Sequence, residues 1–187
     1  MANEYAVNLI RGFTASLGGL ILIALAMSGG GSFSLFSVAS GSVAASLNNS
    51  AFFYLFVVGP SEETIFRFFV PLIVMVFADT SYPVGGAVGA VLFGLAHYWA
   101  YGGSTISMAT AILAGGWQAA VVYFYSIRRN GKFTFSPGLF TVMLGHGMYD
   151  FLVITMPGAL LYVGAGMIGI LALTYMVFKA NNNDEDS

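Results

Sequence analysis

Ser61-Glu62-Glu63-Thr64-Ile65-Phe66-Arg67-Phe68-Phe69 lies inside an apolar run from Ala51 to Ala78. One ionised side chain at the centre of a bilayer costs about 2.5–3.5 kcal/mol on insertion scales. Glu62, Glu63 and Arg67 put such groups within a six-residue window, so each needs a partner or a purpose. Its 28 residues reach about 42 Å as a helix, longer than a hydrocarbon core of about 30 Å. The segment therefore has to tilt, bend or protrude, and Pro60 and Pro71 are the expected bend points.

Composition agrees with a membrane setting. Of 187 residues, 58% are apolar and 7% charged, against about 25% charged in a soluble domain. The size is that of one domain, with residues 51–155 as its motif-bearing core and no soluble domain attached. The chain lacks cysteine, which excludes disulfides, thiol nucleophiles and thiolate metal sites. Cations cluster only at Arg128, Arg129 and Lys132, too few for a nucleic-acid surface. Away from the chain ends and that loop, the ionisable residues within apolar runs are Glu62, Glu63, Arg67, His97, His146 and Asp150.

Outward from the central run, the pattern predicts an all-α polytopic bundle of about six spans. They cover residues 12–27, 51–78, 84–101, 104–127, 139–155 and 159–178. Arg11 before the first span resembles the start of a signal peptide, but an uncleaved span is the better reading. Residues 28–50 are rich in Gly, Ser and Ala and read as a loop with a short surface or re-entrant helix. Residues 181–187 read as a disordered polar tail. Even numbers of spans separate Arg11, the Arg128 loop and Lys179, so all land on one side. The positive-inside rule then puts both termini in the cytoplasm and residues 28–50 outside. On that count His97 falls near the outer end of its span. Gly85, Gly89, Phe93 and His97 share one helix face, and Gly86, Ala90 and Gly94 form a second ridge beside it. Small residues at this spacing mark packed faces in lipid.

Chemistry concentrates in pairs at i, i+4 spacing, which share a helix face. These are Glu63 with Arg67, Phe93 with His97, and His146 with Asp150. Glu62 lies about 100° around the helix from Glu63. One carboxylate can therefore neutralise Arg67 while the other acts as a general base. Histidine can orient a water or share its proton. A second histidine, its tautomer held by an acid at i+4, can donate to a developing oxyanion. Together the groups read as water activation plus carbonyl polarisation, the kit for amide hydrolysis within a membrane. Taken singly, Glu63–Arg67 reads as a buried structural ion pair, Phe93 as core, and Phe66, Phe68 and Phe69 as packing or lipid-facing residues.

Glu62-Glu63-Thr64-Ile65-Phe66-Arg67 matches E-E-x-x-x-R, Phe93-Gly94-Leu95-Ala96-His97 matches F-x-x-x-H, and His146-Gly147-Met148-Tyr149-Asp150 matches H-x-x-x-[ND]. In this order they resemble the motifs of the CAAX protease and bacteriocin-processing enzyme family, also called the Abi family. The chain is similar to type II CAAX prenyl endopeptidases over about residues 53–152. The resemblance implies an intramembrane endopeptidase of the glutamate type, acting on a membrane-associated or lipid-modified peptide or protein. It implies that Glu62 and His97 activate water, Glu63 and Arg67 support them, and His146 and Asp150 form the oxyanion side. No cofactor is expected. A zinc protease with Glu62, His97 and His146 as ligands is an alternative, against which stands the lack of H-E-x-x-H. A non-catalytic immunity or scaffold protein retaining the core is a second alternative. A proton-coupled transporter is a third, weakened by the lack of an inverted repeat.

Overall fold

In the computed structural model the described residues are 2–27, 53–100, 102–127 and 137–156, together with 162–163, 165–167 and 169. The expected loop at 28–50, the basic loop, most of the sixth span and the polar tail lie outside them. The architecture is a helical bundle. Helix α1 is Ala2–Met27. Residues 54–77 form α2, a continuous run in which α and π turns alternate: Tyr54–Val58 (π), Gly59–Glu63 (α), Thr64–Phe69 (π) and Val70–Phe77 (α). Helix α3 is Tyr82–Ala100, α4 is Thr105–Val122 continued by a π turn at Tyr123–Ile127, and α5 is Pro137–Thr155.

Among the described residues four helices are long and apolar enough to cross a bilayer: Val7–Met27, Tyr82–Ala100, Thr105–Ile127 and Pro137–Thr155. These correspond to four of the six expected spans. The fifth, α2, is helical as expected and carries three charged residues, Glu62, Glu63 and Arg67, close together. Large apolar side chains point outward from α2 and α3, among them Ile65, Phe69, Ile73, Val76, Val84, Val88 and Val91. Such a surface suits lipid rather than water.

The expected bends in α2 take the form of π turns. Proline has no N–H and crowds the carbonyl four residues back. Each π turn ends two residues before a proline. Gly59 N–H reaches back to the Tyr54 carbonyl ahead of Pro60, and Val70 N–H reaches the Ile65 carbonyl ahead of Pro71. Widening the turn lets the ring sit in a continuous helix, and such bulges recur at functional sites. Pro71 also leaves the Arg67 carbonyl without the α-helical N–H it would otherwise receive. The buried Tyr82 hydroxyl, on α3, donates to that carbonyl at 3.2 Å. Asp79 stops α2 with φ 46°, a left-handed conformation open to Asp. The α3–α4 turn closes as expected over Gly102 and Gly103, with φ 67° and 83°. Gly103 N–H donates to the Tyr98 carbonyl at 2.8 Å, and Ser104 Oγ caps α4 by accepting from Ser107 N–H.

Both small-residue ridges of α3 are packed, each against a different neighbour. A side chain at Gly85 or Gly89 would strike the α2 backbone at Pro71 or Phe66, while Gly86 and Gly94 pack on Ala119 and Ile112 of α4. The N-terminal half of α2 leans on α5 instead, where Gly59 meets the Gly147 backbone and Gly147 meets the Leu55 carbonyl. Helix α1 closes the other side of α5 through Leu17, Leu20, Ile21 and Ala24 against Tyr149 and Leu152. A second apolar cluster joins Tyr82, Val121, Val122, Leu139, Val142 and Met143. Thus α2 has α5 along one half and α3 along the other, and their side chains converge at its middle.

Tyr82→Phe should destabilise the protein by about 1–3 kcal/mol, the cost of a buried polar group left unpaired. Pro71→Ala in the same chain returns an N–H to α2 and should recover much of that loss. Unfolding in detergent, followed by circular dichroism, checks both.

Candidate active site

The convergence point is a cavity of about 180 Å³, room for more than a single water. Among its walls are Glu62, Glu63, Arg67, Phe93, His97, His146 and Asp150, so every residue of the sequence shortlist faces one chamber. Helix α2 supplies the first three, α3 the next two and α5 the last two.

The two adjacent glutamates have different surroundings. Glu63 and Arg67 are both 0% exposed, and Arg67 Nε stands 3.2 Å from Glu63 Oε2. The pairing expected from i, i+4 spacing is present, as an ion contact without an aligned hydrogen bond. Glu63 does more than neutralise Arg67. Its Oε1 accepts from His146 Nδ1–H across the α2–α5 contact at 2.7 Å. This corrects the expectation for the histidine. Its Nδ1–H is held by Glu63 from another helix, because Asp150, one turn along α5, reaches the opposite nitrogen instead. Asp150 Oδ2 lies 3.7 Å from His146 Nε2, and Glu62 Oε2 lies at the same 3.7 Å. Burial divides the acids accordingly: the side chain of Glu62 is 30% exposed and that of Asp150 20%, while Glu63 is sealed.

Phe93 is more than core filling. Its ring lies against His97 at 4.1 Å between centroids, tilted by 50°, and stands edge-on to His146 at 5.8 Å. The Arg67 guanidinium carbon lies 4.7 Å from its centroid, within cation–π range. Phe66 abuts the same ring at 5.3 Å, so this phenylalanine serves the site, whereas Phe69 faces outward. One aromatic ring thereby spaces two histidines and covers a buried cation. His97 donates Nδ1–H to the Phe93 carbonyl one turn back at 2.9 Å. That bond sets the ring so that Nε2 is its other polar atom.

Several contributors escaped the sequence shortlist. Leu20, Ile23, Ala24 and Met27 of α1 form an apolar wall, and Thr110, Ala111 and Gln118 of α4 line the chamber as well. Apolar wall residues carry no sequence signal that separates them from lipid-facing ones. Gln118 did carry one, as an amide in an otherwise apolar span. The alternative zinc set of Glu62, His97 and His146 is not gathered as a ligand cluster among the described residues.

Glu63→Leu should destabilise the folded protein by about 3–5 kcal/mol, since it leaves Arg67 buried and unpaired. Glu63→Gln, which still accepts from His146, should cost less. The comparison is read from detergent unfolding midpoints.

A family model described as Rce1-like, type II CAAX prenyl endopeptidase, covers residues 45–152, more than half of the chain. The searches of curated proteins and of solved structures return no match. The matched span contains all three motifs and every shortlisted side chain, while α1 lies outside it. The protein therefore belongs to the Rce1-like family of membrane proteases.

Proposed function

We propose that this chain is an intramembrane endopeptidase that hydrolyses a peptide bond of a membrane-associated or lipid-modified peptide, with Glu62 as general base. The observation that carries the reading is the division between the glutamates. Glu63 is sealed and committed to Arg67 and His146, and Glu62 faces the chamber with part of its carboxylate exposed. A base must reach its water, and only Glu62 of the pair can do so.

In this mechanism Glu62 takes a proton from a water that His97 orients through Nε2. The resulting hydroxide adds to the scissile carbonyl. In this scheme His146 carries both ring protons and donates Nε2–H to the oxygen that gains charge. Asp150 acts through His146, since an ionised carboxylate has no proton to give. The proton held by Glu62 then passes to the departing amine as the C–N bond breaks, and the products are a carboxylate and an amine. Arg67 and Phe93 hold Glu63 and the histidine rings in place. No cofactor enters this scheme. The proposal places the chain in the membrane as a single multi-pass domain, with residues 51–155 as the catalytic core and both termini cytoplasmic. The substrate class follows from the family description, which names CAAX prenyl endopeptidases.

Purified protein in lipid nanodiscs, given membrane-anchored and farnesylated peptides, tests the reading. Glu62→Gln and His97→Ala should each slow hydrolysis by at least about 100-fold, the usual range for a lost acid–base group, with unfolding midpoints unchanged. Equal cleavage by wild type and both variants would sink the mechanism. Activity should also persist in metal chelators. Cysteines introduced singly into the Arg128 loop of this cysteine-free chain should react with impermeant reagents only from the cytoplasmic side.

A further inference from the structure

Gln118 lies outside the three motifs. It is 1% exposed on α4 and lines the same cavity as Glu62 and His97. Its Oε1 accepts from Ser16 Oγ of α1 at 2.8 Å. Ser16 is itself fully buried and confined by Gly145 of α5, where any side chain would collide with its hydroxyl. The amide is thereby set with its acceptor end committed. Its donor end is not: among the described residues Nε2 has no acceptor.

The outer nitrogens of Arg67 are in the same state. Nη1 and Nη2 are buried without a hydrogen-bond partner among the described residues, and Nη2 lies against Gly115. Gly115 and Gln118 are three residues apart and share a face of α4. A glutamine kept for structure alone would be satisfied at both ends, or replaced by an apolar residue at no cost to the fold. The nearby walls, Leu20, Ala24 and Ala111, offer no side-chain acceptor.

The level of these donors is also defined. Gly94 packs on Ile112 and Gly86 on Ala119, so Gln118 stands opposite residues 86–90 of α3. The His97 ring folds back to the Phe93 carbonyl, so it stands about 5–10 Å along the helix axis from that level, or about two to three residues of extended peptide. Gln118 therefore sits beyond the water-activating pair, with the Arg67 guanidinium between them, against the Phe93 ring that His97 also meets.

We propose that Gln118 is a substrate-binding residue and Ser16 its positioning residue. With the outer nitrogens of Arg67, the amide N–H group receives an oxygen of the bound peptide, a backbone carbonyl or a terminal carboxylate, beyond the scissile bond. This rests on the endopeptidase reading for the nature of the ligand. It also gives α1, which lies outside the family match, a part in recognising substrate.

The test uses the full chain in nanodiscs with a labelled farnesyl-cysteine peptide, made once with a free C-terminal carboxylate and once amidated. The double variant Ser16→Ala/Gln118→Met removes both partners and strands neither, so its unfolding midpoint should match or exceed that of wild type. Gln118→Glu, which still accepts from Ser16 but cannot donate when ionised, is the second variant. Both should raise KM about tenfold, the loss of one hydrogen bond, and change kcat less than about twofold. In a Glu62→Gln background, Kd read by fluorescence anisotropy should rise equally. A loss with both peptides assigns the acceptor as a backbone carbonyl. A loss confined to the free acid assigns a terminal carboxylate. Unchanged KM and Kd would overturn the proposal while leaving the peptidase intact, as would a lowered midpoint in the double variant. Peptide bound but not cleaved by wild type, with binding weakened in the variants, would uphold Gln118 and remove the peptidase reading. Neither binding nor cleavage by wild type would remove both.

Discussion

The Glu63 carboxylate holds the site together. One oxygen faces the Arg67 guanidinium on its own helix, and the other receives the His146 N–H from α5. Opposite charges buried at full depth gain little net stability, because desolvation offsets most of their attraction. What they do supply is direction. A carboxylate with both oxygens engaged cannot turn, so the imidazole it holds cannot turn either, and the far nitrogen of that ring is aimed at Glu62 and Asp150. The glutamate of the pair that does not meet water decides where the chemistry of the other can take place.

This arrangement depends on backbones coming closer than side chains normally allow. Gly59 against Gly147 brings α2 to α5, and Gly89 against the Phe66 carbonyl brings α3 to α2. With large apolar side chains facing outward from α2 and α3, lipid gives the helices little hydrophobic reason to associate, so close packing carries the load. The same contacts set Phe93 between the two histidines. Close approach and catalytic alignment are therefore one constraint, imposed at a few glycines.

Much of this was legible in the sequence, for definite reasons. Charge is costly in lipid, so six ionisable residues in apolar runs were conspicuous, and all of them reach the chamber. The i, i+4 rule correctly paired Glu63 with Arg67, and the small-residue ridges of α3 are packed as their spacing predicts. The rule failed for His146 because one helix cannot report what another brings to it; the partner of Nδ1 comes from α2. Gln118 and Ser16 were passed over for the same reason, since they are 102 residues apart in the chain. The hub role of Phe93 was also hidden, because an aromatic ring in a membrane span has no spacing that separates hub from filler. The prolines announced bends in α2 but not that each would be absorbed by a π turn.

Those π turns bear on how the segment tolerates change. Relative to an α-helix, a π turn accommodates an extra residue and shifts the phase of everything beyond it by about 100°. The one at Thr64–Phe69 lies between Glu63 and Pro71 and contains Arg67. Register along α2, as much as residue identity, thus governs which face meets α3 and which meets α5. A lineage can exchange many apolar side chains here and keep the chamber. Loss of a single residue from that turn would spare both glutamates and the arginine yet rotate the Pro71 half away from Gly85, so in this segment length constrains the site more tightly than composition does.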